Sequence, residues 1–202
     1  MTDDITEAQR QLKVLETFSE RIQIDIMDGQ FVNSHSIAAD DIHLLNTSID
    51  LEVHLMVEDP MAWLPYLDPK IFKLVYFHIE AVPEPGDLIK KIRGRDFEVG
   101  LAVKIATPLS VIDPHVEMVD SVLFMSVVLG RQGQEFHSEV LAKIRKFSGQ
   151  YPDHNLAIDG GVNSSNIEEV LAAGVDDIGV GSAISQSRDP QEAYLKLKDK
   201  LI

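Results

Sequence analysis

The chain has 202 residues, 45% of them apolar, and a formal charge of −15, which suits one domain with a substantial core and argues against a nucleic-acid or anionic-membrane partner. It contains no cysteine, so disulfides and thiolate chemistry are excluded. No apolar run approaches the roughly 20 residues that span a bilayer, and the acidic opening MTDDITEAQRQLK is unlike a signal peptide, so a cytoplasmic protein is expected.

Residues 6–20, TEAQRQLKVLETFSE, put Leu12, Leu15 and Phe18 at helical spacing and predict an amphipathic helix. Seven short β-rich runs follow: RIQIDIM (21–27), DLEVHLMV (50–57), FKLVYFHIEA (72–81), FEVGLAVKI (97–105), SVLFMSVV (121–128), NLAIDGG (155–161) and DDIGVGSAI (176–184). Among the segments between them, HSEVLAKIRKF (137–147) and SSNIEEVLAAG (164–174) are the clearest helices. In the second, Ser164 or Ser165 is placed to cap the start and Gly174 the end. The Pro-rich VPEPGD (82–87) reads as a loop, so residues 1–202 form a single domain.

Strands alternating with helices predict a parallel sheet with helical crossovers. A closed (β/α)₈ barrel needs eight strands, and the chain opens on a helix, so one strand before it would complete the set. An open, doubly wound sheet of seven strands is the rival. Side-chain alternation favours the barrel. If Asp25 points inward, so do Gln23 and Met27, while Ile22, Ile24 and Ile26 face the helices. His54 then points inward with Glu52 and Met56, and Asp159 takes the last position of its strand. Polar groups thus gather near C-terminal strand ends, where barrel enzymes keep their sites.

Asp25, His54 and Asp159 together suit a divalent metal or acid/base chemistry on a small substrate. Singly, each has an ordinary reading: a strand-end aspartate often caps the next helix, and a lone strand histidine is more often a hydrogen-bonded core residue. The glycines of IDGGV (158–162) and VGSAI (180–184) lie in consecutive strand-to-loop turns. A barrel's last two loops frequently bind phosphate through backbone N–H groups. Otherwise Gly160, Gly161 and Gly181 serve tight turns and Ser182 is a cap.

The segments IDIMDGQFV, EVHLMVEDP, FHIEA, LFMSVVLGRQGQEF and IDGGVN…VGSAI stand in the order of the signature segments of the ribulose-phosphate 3-epimerase family. The chain resembles that family from about residue 5 to its end. The resemblance implies a TIM (β/α)₈ barrel whose first strand is missing from this chain. It implies a metal-assisted epimerisation at C3 of a pentulose 5-phosphate, with Asp25 and Asp159 exchanging protons on opposite faces of the substrate. It also implies one divalent ion (Mn²⁺, Fe²⁺, Zn²⁺ or Co²⁺) held by Asp25, His54 and Asp159. Met27, Met56 and Met125 resemble the family's methionine cluster over the substrate; plain core packing is the other reading. Gly161, Gly181 and Ser182 match phosphate-binding positions, with Gly160 beside Gly161, and Gly130 and Gly133 persist from the family's pattern in the VLGRQGQ loop.

Several positions depart from the family. Gln23 stands where the family has a histidine ligand. Its amide oxygen is a harder, weaker ligand, less suited to Zn²⁺ and more tolerant of Mn²⁺, Fe²⁺ or Mg²⁺; alternatively, Gln23 hydrogen-bonds the substrate and the metal is lost. In VLGRQGQ, Arg131 and Gln132 replace an aromatic element, and Arg131 either contacts phosphate or is solvated. Lys104 stands where the family has an asparagine, and matters electrostatically only if it points into the barrel. The family's first strand has no counterpart here. Either the gene starts upstream of Met1, the favoured expectation, or the strand is lost.

The favoured reading is an epimerase inverting C3 of ribulose 5-phosphate. Its rivals are a non-catalytic phosphosugar-binding barrel without the metal, and an epimerase or lyase acting on another ketose phosphate. The partner is a small sugar phosphate, which the net charge repels at long range, so binding rests on local groups. Barrels of this size usually associate, so a homo-oligomer is expected.

Overall fold

The computed structural model describes residues 2–130 and 133–201. Helix α1 (Ile5–Leu15) starts at Asp4, whose carboxylate accepts the N–H groups of Thr6 and Glu7, a standard N-cap. It is shorter than the pattern predicts. After Leu15 the backbone tightens into three-residue turns, with the Phe18 N–H on the Leu15 carbonyl, and Phe18 still packs against the core.

The order then runs β1 (Ile22–Met27), β2 (Leu51–Met56), α2 (Pro60–Trp63), β3 (Phe72–His78), α3 (Pro85–Arg93), β4 (Glu98–Val103), α4 (Leu109–Ile112), β5 (Ser121–Met125), α5 (Val140–Gln150), β6 (Asn155–Asp159), α6 (Ile167–Leu171), β7 (Asp177–Gly179), α7 (Ser182–Ser185) and α8 (Pro190–Lys198). Each predicted strand is present. The second clear helix begins at Asn166 rather than at a serine cap. The reason is local: both the N–H and the hydroxyl of Ser165 are engaged by the Asn163 side chain. Gly174, at φ +91°, follows the helix end as expected.

The strands are all parallel and lie in the order β1-β2-β3-β4-β5-β6-β7. A doubly wound sheet would reverse direction partway along that order; this one does not, and the fold is a (β/α) barrel with seven strands among the described residues. The aliphatic faces of the strands, such as Val53, Val75, Val99, Val122 and Ile158, are fully buried against the helices. A second cluster fills the barrel interior with Leu74, Tyr76, Ala102, Leu123, Met125, Val127 and Ala157. The two faces are those that alternation assigns.

Strands β1 and β7 are the ends of the sheet. A cavity of about 840 Å³ opens between them, lined by Leu12, Ile22, Ile24, Ile178, Val180 and Ile184 among others. Ile24 and Ile178 are accordingly only half-buried. Side chains bridge this gap: the Arg21 guanidinium pairs with Glu52 at 3.1 Å and with Asp177 of β7.

Inside the barrel, Tyr76 is 1% exposed and shares a 2.9 Å hydrogen bond with Ser121. Its ring lies where a side chain on Gly100 would be: a Cβ there would stand 2.0 Å from the ring. The ring would have to shift to admit it. Gly100→Ala is expected to destabilise the protein by about 1–3 kcal/mol through overpacking, measured as a lower urea midpoint at unchanged m-value.

Candidate active and metal-binding site

Three strand ends build the site. Asp25 and His54 are opposed in the β1–β2 register, and Asp159 closes β6, opposed to Met125 of β5 and Gly179 of β7. The ligand atoms of Asp25, His54 and Asp159 all lie within 4.8 Å of one another. His54 Nδ1 is 3.4 Å from Asp25 Oδ1 and 3.6 Å from Asp159 Oδ2. Two oxygens and one nitrogen at this separation fit a divalent cation with bonds of about 2.0–2.2 Å. Gln23 points at the same centre. Its amide nitrogen donates to Asp25 at 2.9 Å and to Asp159 at 3.1 Å, and lies 3.5 Å from His54 Nδ1. Turned over, the amide would present its oxygen to the same centre.

The electrostatics follow from burial and pairing. Burial alone would lower the His54 pKa, but hydrogen bonds and attraction to Asp159 and Asp25 outweigh it and push it up to about 9. Behind His54, His78 is dominated by burial and falls to about 4 despite its contact with Glu80. Burial opposes the ionised form of Glu80, yet His78, Thr107 and the Lys104 N–H hold it down at about 2.

The expected loops gather around this centre. One cavity is lined by Asp25, Asp159, Met56, Met125, Gly130, Gly133, Gly160, Gly161, Gly181 and Ser182, with Val127, Leu129, Gln134 and Val162 completing the wall. Met27 is 2% exposed and packs with Met56 and Val32 beside the cavity rather than on its wall. Gly160 and Gly161 need their positive φ angles of +114° and +67°, and a Cβ on Gly160 would meet Val127 at 2.5 Å. Gly181 precedes the first turn of α7, and Ser182 is the first residue of that turn rather than its cap. Lys104 stands at the barrel mouth with its amine 3.9 Å over the Phe31 ring. Arg131 and Gln132 lie outside the described residues.

Other contributors carried no strong sequence signal. Ser126, fully buried, donates its hydroxyl to the carbonyls of Asp159 (3.0 Å) and Gly160 (2.6 Å). It thereby holds the end of β6 at the site. Ser126→Ala keeps the backbone N–H that also reaches the Asp159 carbonyl at 2.9 Å but takes the hydroxyl donor from the Gly160 carbonyl, and is expected to cost about 1–3 kcal/mol of stability, read from thermal and urea unfolding. Gly179 leaves room for the Asp159 carboxylate, which a Cβ would approach to 3.2 Å. Asp28 is a loop staple. Burial works against its charge, but the N–H groups of Glu58, Gln30 and Phe31 hold its pKa below the ordinary carboxylate value.

No helix of the described residues is long and apolar enough to cross a membrane. Among solved structures, 3-hexulose-6-phosphate synthase from Salmonella typhimurium superimposes with a TM-score of 0.72 at 14% identity, covering 100% of this chain and 95% of the other. Orotidine 5'-phosphate decarboxylase from Pyrococcus horikoshii does so at 0.67 and 16%, covering 99% and 95%. At such identities the likeness shows the barrel fold alone. Sequence similarity is closer to the ribulose-phosphate 3-epimerases. The Schizosaccharomyces pombe protein is 30% identical, over 94% of this chain and 86% of the relative. The Mycobacterium tuberculosis protein is 35% identical, over 88% and 80%. The cytoplasmic isoform of rice is 33% identical, over 88% and 80%. Residues 1–185 match the model of the ribulose-phosphate 3 epimerase family, and with the signature segments folded into one barrel mouth, the chain belongs to that family.

Proposed function

We propose that this protein inverts C3 of a pentulose 5-phosphate, interconverting ribulose 5-phosphate and xylulose 5-phosphate with the help of a divalent metal ion. The observation that carries the reading is the convergence of Asp25, His54 and Asp159, ligand atoms within 4.8 Å, at one barrel mouth. A proton beside a carbonyl is a weak acid, and inversion needs one group to remove it and another to return a proton on the opposite face. Asp25 and Asp159 come from strands separated around the barrel and supply that pair. A cation held by these two carboxylates and His54 supplies Lewis-acid stabilisation of the negative charge that develops on the substrate oxygens. The oxygen of Gln23, turned inward, makes Mn²⁺ or Fe²⁺ a better match than Zn²⁺. Gly160, Gly161, Gly181 and Ser182 form the phosphate end, with Gly130 and Gly133 over it, and Met56 and Met125 form the apolar wall beside the carbon chain. Their shared lining of one cavity supports this assignment.

A second reading rests on Gln23. Its amide N–H groups satisfy both carboxylates without any cation, which suits a phosphosugar-binding barrel that does not turn its ligand over. Deuterium incorporation at C3 of ribulose 5-phosphate in D₂O, followed by NMR with Mn²⁺ and then with a chelator, separates the two. Metal-dependent incorporation is expected. Binding without incorporation, with or without metal, would establish the second reading instead.

A further inference from the structure

The segment FHIEA (77–81) supplies neither a ligand nor a phosphate contact in the site above. Its histidine, His78, is fully buried behind His54. The two Nε2 atoms are 2.9 Å apart. On its other side, His78 Nδ1 is 3.1 Å from Glu80 Oε2. The remaining Glu80 oxygen, Oε1, accepts the Lys104 N–H at 2.9 Å and the Thr107 hydroxyl, so the carboxylate is held from the loop after β4. The Phe31 ring covers His78 at 5.1 Å between centroids.

Donor and acceptor capacities then fix each proton. An ionised carboxylate only accepts, so His78 carries its hydrogen on Nδ1. The Nε2 of the neutral His78 ring is therefore a lone pair, and His54 must supply the hydrogen in the 2.9 Å contact. With its Nε2 protonated, a neutral His54 has its lone pair on Nδ1, the atom facing Asp25 and Asp159. The opposite tautomer would set two lone pairs against each other in a buried contact, a costly arrangement.

We infer that His78 and Glu80 are positioning residues that keep the His54 proton on Nε2 and present the Nδ1 lone pair to the metal. The inference rests on the metal-binding reading above. Ligating histidines commonly depend on such an outer partner, and its loss typically costs 10–100-fold in metal affinity.

The test uses the full chain, Zn²⁺ as a diamagnetic probe and ¹⁵N-histidine labelling. In the Zn²⁺-loaded protein, long-range ¹H–¹⁵N correlations are expected to show His54 protonated on Nε2 and His78 on Nδ1. The reverse tautomer of either ring overturns the inference without any variant. Calorimetric Zn²⁺ titrations are then compared for wild type, His78→Leu and His78→Gln. The leucine variant loses the acceptor and is expected to bind about 10–100-fold more weakly; the glutamine variant keeps an acceptor oxygen and is expected to recover most of that loss. A folded His78→Leu that binds within twofold of wild type, or a loss that His78→Gln does not restore, overturns it. Wild-type binding that is absent, or indifferent to Asp25→Asn, removes the metal-binding reading itself and the inference with it.

Discussion

Asp25→Asn is expected to lower epimerisation by about 10³-fold or more while leaving the fold intact. Asparagine has nearly the same shape and still meets the Gln23 amide that Asp25 now engages at 2.9 Å. What it lacks is a basic oxygen. Proton transfer by a positioned side chain contributes typically 10²–10⁴-fold, and Asp25 is also one of only two carboxylates in the candidate metal cluster. In the proposed mechanism the remaining carboxylate, Asp159, faces the other side of C3 and can remove and return the proton of the epimer whose C3 proton lies on that face. Residual deuterium incorporation is therefore expected with retention of configuration rather than inversion. Proton NMR of ribulose and xylulose 5-phosphate in D₂O reads both quantities. Inversion within tenfold of wild type would show that Asp25 does not exchange the proton.

The second large effect is competition between metal and proton for His54. In the metal-free protein the ring is held cationic up to a pKa of about 9, because Asp159 and Asp25 outweigh the burial that opposes its charge. A cation can bind Nδ1 only when that proton leaves. Apparent metal affinity is expected to rise about tenfold per pH unit from pH 6 to pH 9, about 10³-fold in all, then level off. Titration calorimetry in buffers of different ionisation enthalpy should show one proton released per ion at pH 7. The stability of the chelated protein runs the opposite way. His54 has a folded pKa above its unfolded value of about 6.5, so its contribution is complete below that value and is lost as pH rises through about 9. The melting temperature of the chelated protein should fall across that window, and added metal should remove most of the fall. Affinity that does not change between pH 6 and pH 8 would show that His54 is not a ligand.

Gln23 links the two effects. Its amide nitrogen lies close to Asp25, His54 and Asp159 at once. In the absence of metal it shares the acids with the His54 cation. With metal bound, only the turned-over amide is compatible with the ion, because an N–H group cannot face a cation. Under the proposed metal-binding reading, a neutral amide at this position would be a weaker fourth ligand than imidazole.

Much of this was legible along the chain. Alternation with period two separates the helix-facing aliphatics from the inward-facing Gln23, Asp25, His54 and Met56, and this separation depends only on local backbone geometry. The β-rich runs named all seven strands of the described residues, and their order in sequence is their order in space. Glycines that need positive φ, such as Gly160 and Gly161, announce themselves by residue type. Helix starts were less legible, because Asn163 competes for Ser165 in a way that spacing does not reveal.

What only the tertiary structure decided are relations between residues distant in sequence. Barrel curvature brings Asp159 to Asp25 and His54 and places Arg21 against Asp177 across the gap between β1 and β7, and the β3–β4 register sets Tyr76 into the space left by Gly100. It also stacks His54, His78 and Glu80 into one hydrogen-bonded line. A sequence pattern states which face a side chain takes, since that is a property of one strand. Which atoms meet, and therefore which nitrogen carries the proton, depends on the register and closure of several strands together.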